Sequence, residues 1–263
     1  MSEVKDYFDK ESSTFEKMRW IGNFVSQYDF RVTKEAFIPL MKESDVLLDL
    51  GCGPGTWLKE VHHNFKRCIG VDVSPKMLQL CSEKHLLNVD LVCADCHNLP
   101  FRNQIFETII SLRVFIYLDL AKALKEAHRI LKQDGYMVLL IQVLRQSPYF
   151  KLRECLKPGT KFLEEADYLK AHILLTKVSD HFHIEQTEGV IFRENISHRS
   201  LTFPPTALLF HLYLKILYYF EKKCSASILK YFFASSIAIK ANKLQKHLES
   251  STVEETRDTD FGC

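Results

Sequence analysis

The sequence predicts an α/β protein, with seven strands in an open, mostly parallel sheet and helices on both faces. Three observations carry this. Residues 46–57, VLLDLGCGPGTW, place an apolar strand, a glycine-rich turn and a helix start in succession. Strand-like and helix-like runs alternate along residues 46–144. Two more strand-like runs follow, at residues 182–192 and 235–240.

The bulk numbers agree with one large domain plus additions. The chain has 263 residues, 46% hydrophobic and 26% charged, which allows a full core. A net charge of +2 gives no nucleic-acid signal. The opening MSEVKDYFDKESS is polar and acidic, which argues against a secretory signal. The eight cysteines therefore read as reduced thiols of a cytoplasmic protein, without disulfide-framework spacing.

Residues 1–45 alternate apolar and charged positions and predict a helical cap. Strand one is expected at 46–50, and the first crossover helix at 56–66. Strand two, at 67–72, ends in Asp72, close to the offset at which an acid reaches a ribose. Ser74-Pro75 reads as an N-cap followed by an N1 proline, opening a helix over 75–85. Strand three is expected at 89–94, with Cys93 turned into the core. Cys93 and Cys96 have metal-site spacing, but no second pair accompanies them, so no metal is expected. Strand four is expected at 105–111, a helix at 119–132, a turn at Asp134-Gly135 and strand five at 136–144. Residues 147–180 read as mostly helical. His181 and His183 share one face of strand six and lack a third ligand, so both are expected to face solvent. Residues 206–223 are apolar almost all round, but Lys215 interrupts them. They suit a buried helix, or one that meets a lipid-like substrate or lies peripherally on a membrane.

Asp49, Gly51, Gly53 and Gly55 form an Asp-x-Gly-x-Gly-x-Gly pattern. This resembles motif I of the class I S-adenosylmethionine-dependent methyltransferases. The phrase IGVDVSPKML resembles the family's post-I motif, and ADCHNLPF resembles its Ala-Asp-(small)-x-x-Leu-Pro-Phe. Phe106-Glu107 stands where Phe-Asp is usual, and Gln133-Asp134 replaces a proline and a glycine before strand five. The likeness is strong over residues 40–145 and looser beyond. It is nearest to the group that includes the ubiquinone and menaquinone C-methyltransferases.

The resemblance implies a Rossmann-like core over 46–144, a cap over 1–45, and a substrate insert with closing strands six and seven over 145–241. Strand seven would be antiparallel, and 242–263 a polar tail. It implies S-adenosylmethionine as cofactor, with S-adenosylhomocysteine as product. Asp49, Gly51, Cys52, Gly53 and Gly55 would hold the amino-acid end. Asp72 and Val73 would meet the ribose, Asp95 and Cys96 the adenine, and Leu112 would line the site. Tyr117, Arg113 and Tyr7 are the candidates for the reacting end, and Trp20, Tyr7 and Tyr117 could face the sulfonium. The expected acceptor is a small molecule, with lipid-like classes such as quinones and isoprenoids best suited and a polar metabolite or sugar precursor as runner-up, and no nucleic acid. A sensor of the same fold that binds the donor without turnover stays open. A nicotinamide-dependent oxidoreductase is disfavoured, because Thr56 stands where the dinucleotide pattern wants glycine or alanine.

Overall fold

The computed structural model describes residues 2–15, 24–142, 171–190 and 236–244. The chain opens with α1 (Ser2–Glu11) and α2 (Phe24–Phe37), then a 3-10 turn (Ile38–Leu40). Next come β1 (Ser44–Leu50), α3 (Thr56–Val61), β2 (Phe65–Asp72), α4 (Pro75–Ser82) and β3 (Val89–Cys93). β4 (Phe106–Leu112), α5 (Leu120–Ile130) and β5 (Leu131–Gln142) follow. α6 (Ala171–Ser179), β6 (Phe182–Val190) and β7 (Ser236–Lys243) complete the described elements.

The seven strands lie in the order β3-β2-β1-β4-β5-β7-β6. The first five run parallel, and β7 runs antiparallel to both β5 and β6. Strand order reverses between β1 and β4, which opens a crevice at their carboxyl ends. Alternate residues of each central strand feed opposite faces. In β5, Met137, Leu139 and Ile141 join one core, while Tyr136, Val138 and Leu140 join the other. α5 and α6 cover the first core, and α2, α3 and α4 cover the second. Leu120, Leu124 and Ile130 of α5 are buried, each stabilising the fold by about 1.5–3 kcal/mol.

Several boundaries depart from expectation. α3 ends at Val61, not 66, and a 3-10 turn (His62–Asn64) leads straight into β2. Asn88 fixes this turn by donating to the carbonyls of His62 and Phe65, both at 2.8 Å. α4 stops at Ser82, and His85 takes a left-handed φ of 52°. β5 begins at Leu131, directly after α5, and Gly135 lies inside it where a turn was expected. β7 extends to Lys243, so the expected tail boundary at 242 falls within a strand. Cys93 is exposed, not buried, because β3 is an edge strand with only β2 beside it. His183 is exposed, whereas His181 precedes β6, half-buried with its ring 6.5 Å from that of His128. Among the described residues no helix is long and apolar enough to cross a membrane. Residues 206–223 and Trp20 lie outside the described residues.

Candidate active site

The glycine loop folds back over the end of β2. The N–H groups of Gly51 and Cys52 both donate to the Val71 carbonyl, at 2.7 and 2.9 Å. Gly53 N–H donates to Asp72 Oδ2 at 2.8 Å, and Ser74 N–H to Asp72 Oδ1 at 2.8 Å. Asp72 thus clamps the loop to the start of α4. Burial raises its carboxyl pKa, and the bonds from Ser74, Gly53 and Val73 oppose that rise. Gly51, Gly53 and Gly55 all have positive φ, at 72°, 53° and 75°. Two of these glycines serve different ends. A Cβ on Gly55 would lie 2.2 Å from Cys81 Sγ, so that glycine is needed for packing against α4. A Cβ on Gly53 would meet nothing within 4 Å. Gly53 is therefore where the backbone lies open to an approaching ligand.

Asp49 sits behind the loop at 2% exposure, and its Oδ2 is buried with no hydrogen-bond partner. Burial, with Cys81 and Asp72 nearby, pushes its pKa well above the usual carboxylate range.

A cavity of about 860 Å³, counting its open mouth, lies in front of the loop. Of the residues expected at the cofactor, Gly51, Cys52, Gly53, Asp72, Val73, Cys96 and Leu112 line it. Asp49, Gly55 and Asp95 are not among its lining residues. Asp95 instead accepts from His97 N–H at 2.8 Å, and His97 Nε2 accepts from Asp119 N–H at 2.9 Å.

Arg113 and Tyr117 both line the cavity. Arg113 is not a surface cation. It is buried, with a φ of 62°, and its guanidinium donates to both Asp29 carboxylate oxygens at 2.8 and 2.7 Å. Its Nη2 also reaches Thr33 at 3.4 Å. The pair ties α2 to the end of β4. Tyr7 is not among the lining residues, but its neighbour Phe8 is. The Phe8 ring stands edge-to-face against Tyr7 at 5.1 Å and against Tyr117 at 5.3 Å. Phe15 and Val4 extend this wall. α1 is held in place where Asp9 accepts from Ser74 Oγ, the α4 N-cap, and from Lys5 Nζ at 3.0 Å. Sequence reasoning chose Tyr7; helical periodicity alone did not tell which of the adjacent rings, Tyr7 or Phe8, faces inward. It missed Asp29 altogether.

Comparisons with known proteins agree with this geometry. A family described as a methyltransferase domain matches residues 48–139. An uncharacterised protein of Methanocaldococcus jannaschii is 29% identical over 178 residues, 67% of this chain and 66% of that protein. A demethylmenaquinone methyltransferase of Staphylococcus saprophyticus is 32% identical over 170 residues, 61% of this chain and 70% of that enzyme. A tRNA (carboxymethyluridine(34)-5-O)-methyltransferase of Arabidopsis thaliana is 29% identical over 134 residues, 49% of this chain and 32% of that enzyme. The chain thus spans about two thirds of the archaeal relative's length and a third of the plant enzyme's. Among solved structures, a possible histamine N-methyltransferase of Thermotoga maritima has a TM-score of 0.63 at 18% identity, covering 91% of this chain and 99% of that one. The N-methyltransferase NodS of Bradyrhizobium japonicum, in complex with S-adenosylhomocysteine, has a TM-score of 0.59 at 11% identity, covering 92% and 98%. These structures share the fold. The chain belongs to the class I S-adenosylmethionine-dependent methyltransferases.

Proposed function

We propose that the protein transfers a methyl group to a small apolar acceptor of the quinone or isoprenoid-lipid class. The observation that carries this reading is the apolar share of the cavity lining, to which Phe8, Phe15, Tyr117, Leu118 and Val4 contribute, with the Phe8 ring against those of Phe15 and Tyr117. Among the described residues the charged groups lining the cavity are Asp72 and Arg113, and both are engaged with the protein itself. Such a lining favours an apolar acceptor over a polar metabolite. The demethylmenaquinone methyltransferase among the relatives supports the same class.

Two features fit the donor. Gly53 leaves open space at the loop. Asp49 supplies a buried carboxyl oxygen without a hydrogen-bond partner beneath it, on the side where positive charge would be favourable. S-adenosylmethionine supplies an already electrophilic methyl when bound. The chain's own part is then to hold, orient and exclude water. The loop from Gly51 to Gly53 would hold the amino-acid end, and Asp72 with Val73 the ribose. Cys96 would flank the base, and Phe8 and Tyr117 would shield the reacting end from water. Among the described residues no histidine lines the cavity, and a hydroquinone acceptor would bring its own acidic proton.

The test offers the protein methyl-labelled S-adenosylmethionine with a demethylated, short-chain prenyl quinone, total tRNA, or a polar metabolite extract. Label in the organic phase, with stoichiometric S-adenosylhomocysteine, is the expected result. Label in tRNA would overturn the acceptor class. Tight binding without turnover on any substrate would favour the sensor reading instead.

A further inference from the structure

We propose that His97 is a positioning residue that holds Tyr117 and Leu118 in register with the donor side of the cavity. The inference rests on the reading of those two residues as part of the acceptor's surroundings. His97 is not among the lining residues, but it stands between two segments that line the cavity. One is the turn after β3, which carries Cys96. The other carries Val114, Tyr117 and Leu118 and ends at Asp119, the N-cap of α5. The half-buried His97 ring joins them. Its Nε2 accepts from the Asp119 N–H at 2.9 Å. A ring nitrogen that accepts from a backbone N–H carries no proton, so the ring's proton sits on Nδ1. Nδ1 lies 2.8 Å from Asp95 Oδ1 and donates to it.

The near end of this bridge is firmly set. Asp95 Oδ1 also accepts from the His97 backbone N–H at 2.8 Å, and the Asp95 carbonyl accepts from Asn98 N–H at 3.0 Å. The turn thus fixes the ring before it reaches outward. At the far end, Tyr117 N–H donates to the Val114 carbonyl at 2.9 Å, and Leu118 N–H to that of Phe115 at 3.3 Å. These local bonds set the shape of the 3-10 turn (Phe115–Tyr117), not its place against the donor side. Burial of Phe115 and Ile116 anchors the inner side of that turn. Tyr117 and Leu118 are only half-buried, and the His97 bond, which spans 22 positions, fixes the end of their segment.

Asp119 is exposed, so water can replace the ring on its N–H. Losing the bond then costs little stability, and the loss falls on placement. Group transfer is sensitive to a misplacement of about 1 Å. A drifting Tyr117–Leu118 segment therefore lowers turnover of the acceptor, while the glycine loop, clamped by Asp72, stays competent for the donor. Two amide side chains divide the roles of the ring, since each offers one acceptor and a donor. An asparagine amide reaches as far as Nδ1, and a glutamine amide as far as Nε2. His97→Asn thus keeps a donor to Asp95 but loses the reach to Asp119. His97→Gln keeps an acceptor for the Asp119 N–H.

The experiment compares the full-length protein with both variants, well below their melting temperatures, on S-adenosylmethionine and a demethylated short-chain prenyl quinone. His97→Asn should lower kcat/KM for the quinone by about tenfold, with affinity for S-adenosylhomocysteine unchanged by calorimetry and Tm close to the parent's. His97→Gln should restore most of the lost kcat/KM. Amide hydrogen exchange, read by NMR, follows the bridge without turnover. Exchange at Tyr117, Leu118 and Asp119 should quicken by about tenfold in His97→Asn and stay near the parent's rates in His97→Gln. Two outcomes overturn the proposal: the asparagine and glutamine variants behave alike, or His97→Asn loses Tm with kcat/KM and exchange at Tyr117 and Leu118 unchanged, which is a structural role only. An unaltered protein that leaves the quinone unmethylated would instead overturn the acceptor reading, and the exchange rates would still decide whether His97 places the segment.

Discussion

Replacing Asp72 with alanine should weaken the fold before any ligand is present. Each Asp72 oxygen accepts one backbone N–H, from Gly53 and from Ser74, at 2.8 Å. Hydrogen bonds to a charged group contribute about 1.5–3 kcal/mol each, so losing both removes about 3–6 kcal/mol. Some of this returns, because the buried carboxylate's desolvation also disappears. A net cost of about 2–4 kcal/mol remains, a large part of a typical total of about 5–15 kcal/mol. For a domain of this size that lowers Tm by roughly 4–16 °C. Asp72→Asn keeps one acceptor and should lose about half as much. The assay is thermal unfolding of ligand-free protein by circular dichroism. An alanine variant that melts within a degree or so of the parent would show that the clamp is not what holds the loop.

Gly55→Ala combines a left-handed φ with a Cβ placed 2.2 Å from Cys81 Sγ. It should cost about 2–5 kcal/mol from backbone strain and overpacking, and Cys81→Ala should restore part of it in a denaturant titration. Asp29→Ala leaves Arg113 buried without its carboxylate and should cost about 3–5 kcal/mol. Replacing both partners with apolar residues should recover most of that, and no recovery would refute the pairing argument. Asp49 holds its proton more tightly folded than unfolded, since burial raises its pKa. Its contribution is complete below about pH 4 and is lost as pH rises through the folded-state value. Asp49→Asn should therefore raise Tm near neutrality and flatten its fall with pH; parallel Tm curves for the two proteins would contradict this.

The sheet was readable in the sequence wherever one short segment specifies its own geometry. The glycine loop, the Ser74-Pro75 helix start and the run ending in Asp72 are local patterns with local causes. What could not be read depends on distant partners. Arg113 meets Asp29 across 84 positions, and nothing in either neighbourhood announces the other. Cys93 follows ordinary strand alternation, but its exposure depends on β3 having one neighbour, which is a property of the whole sheet. α3 ended early because Asn88, well downstream, bonds the turn that follows it.

β7 enters the sheet last in the chain but occupies an interior position, between β5 and β6. Seven of its eight residues are buried. On the ribosome, everything up to residue 235 emerges while β5 still has a bare flank. That flank is a long apolar edge, the kind that recruits foreign strands. Vectorial synthesis thus leaves the nascent protein dependent on β7, the last of the described strands, to seal the gap, and a premature stop ahead of Ser236 should give insoluble product.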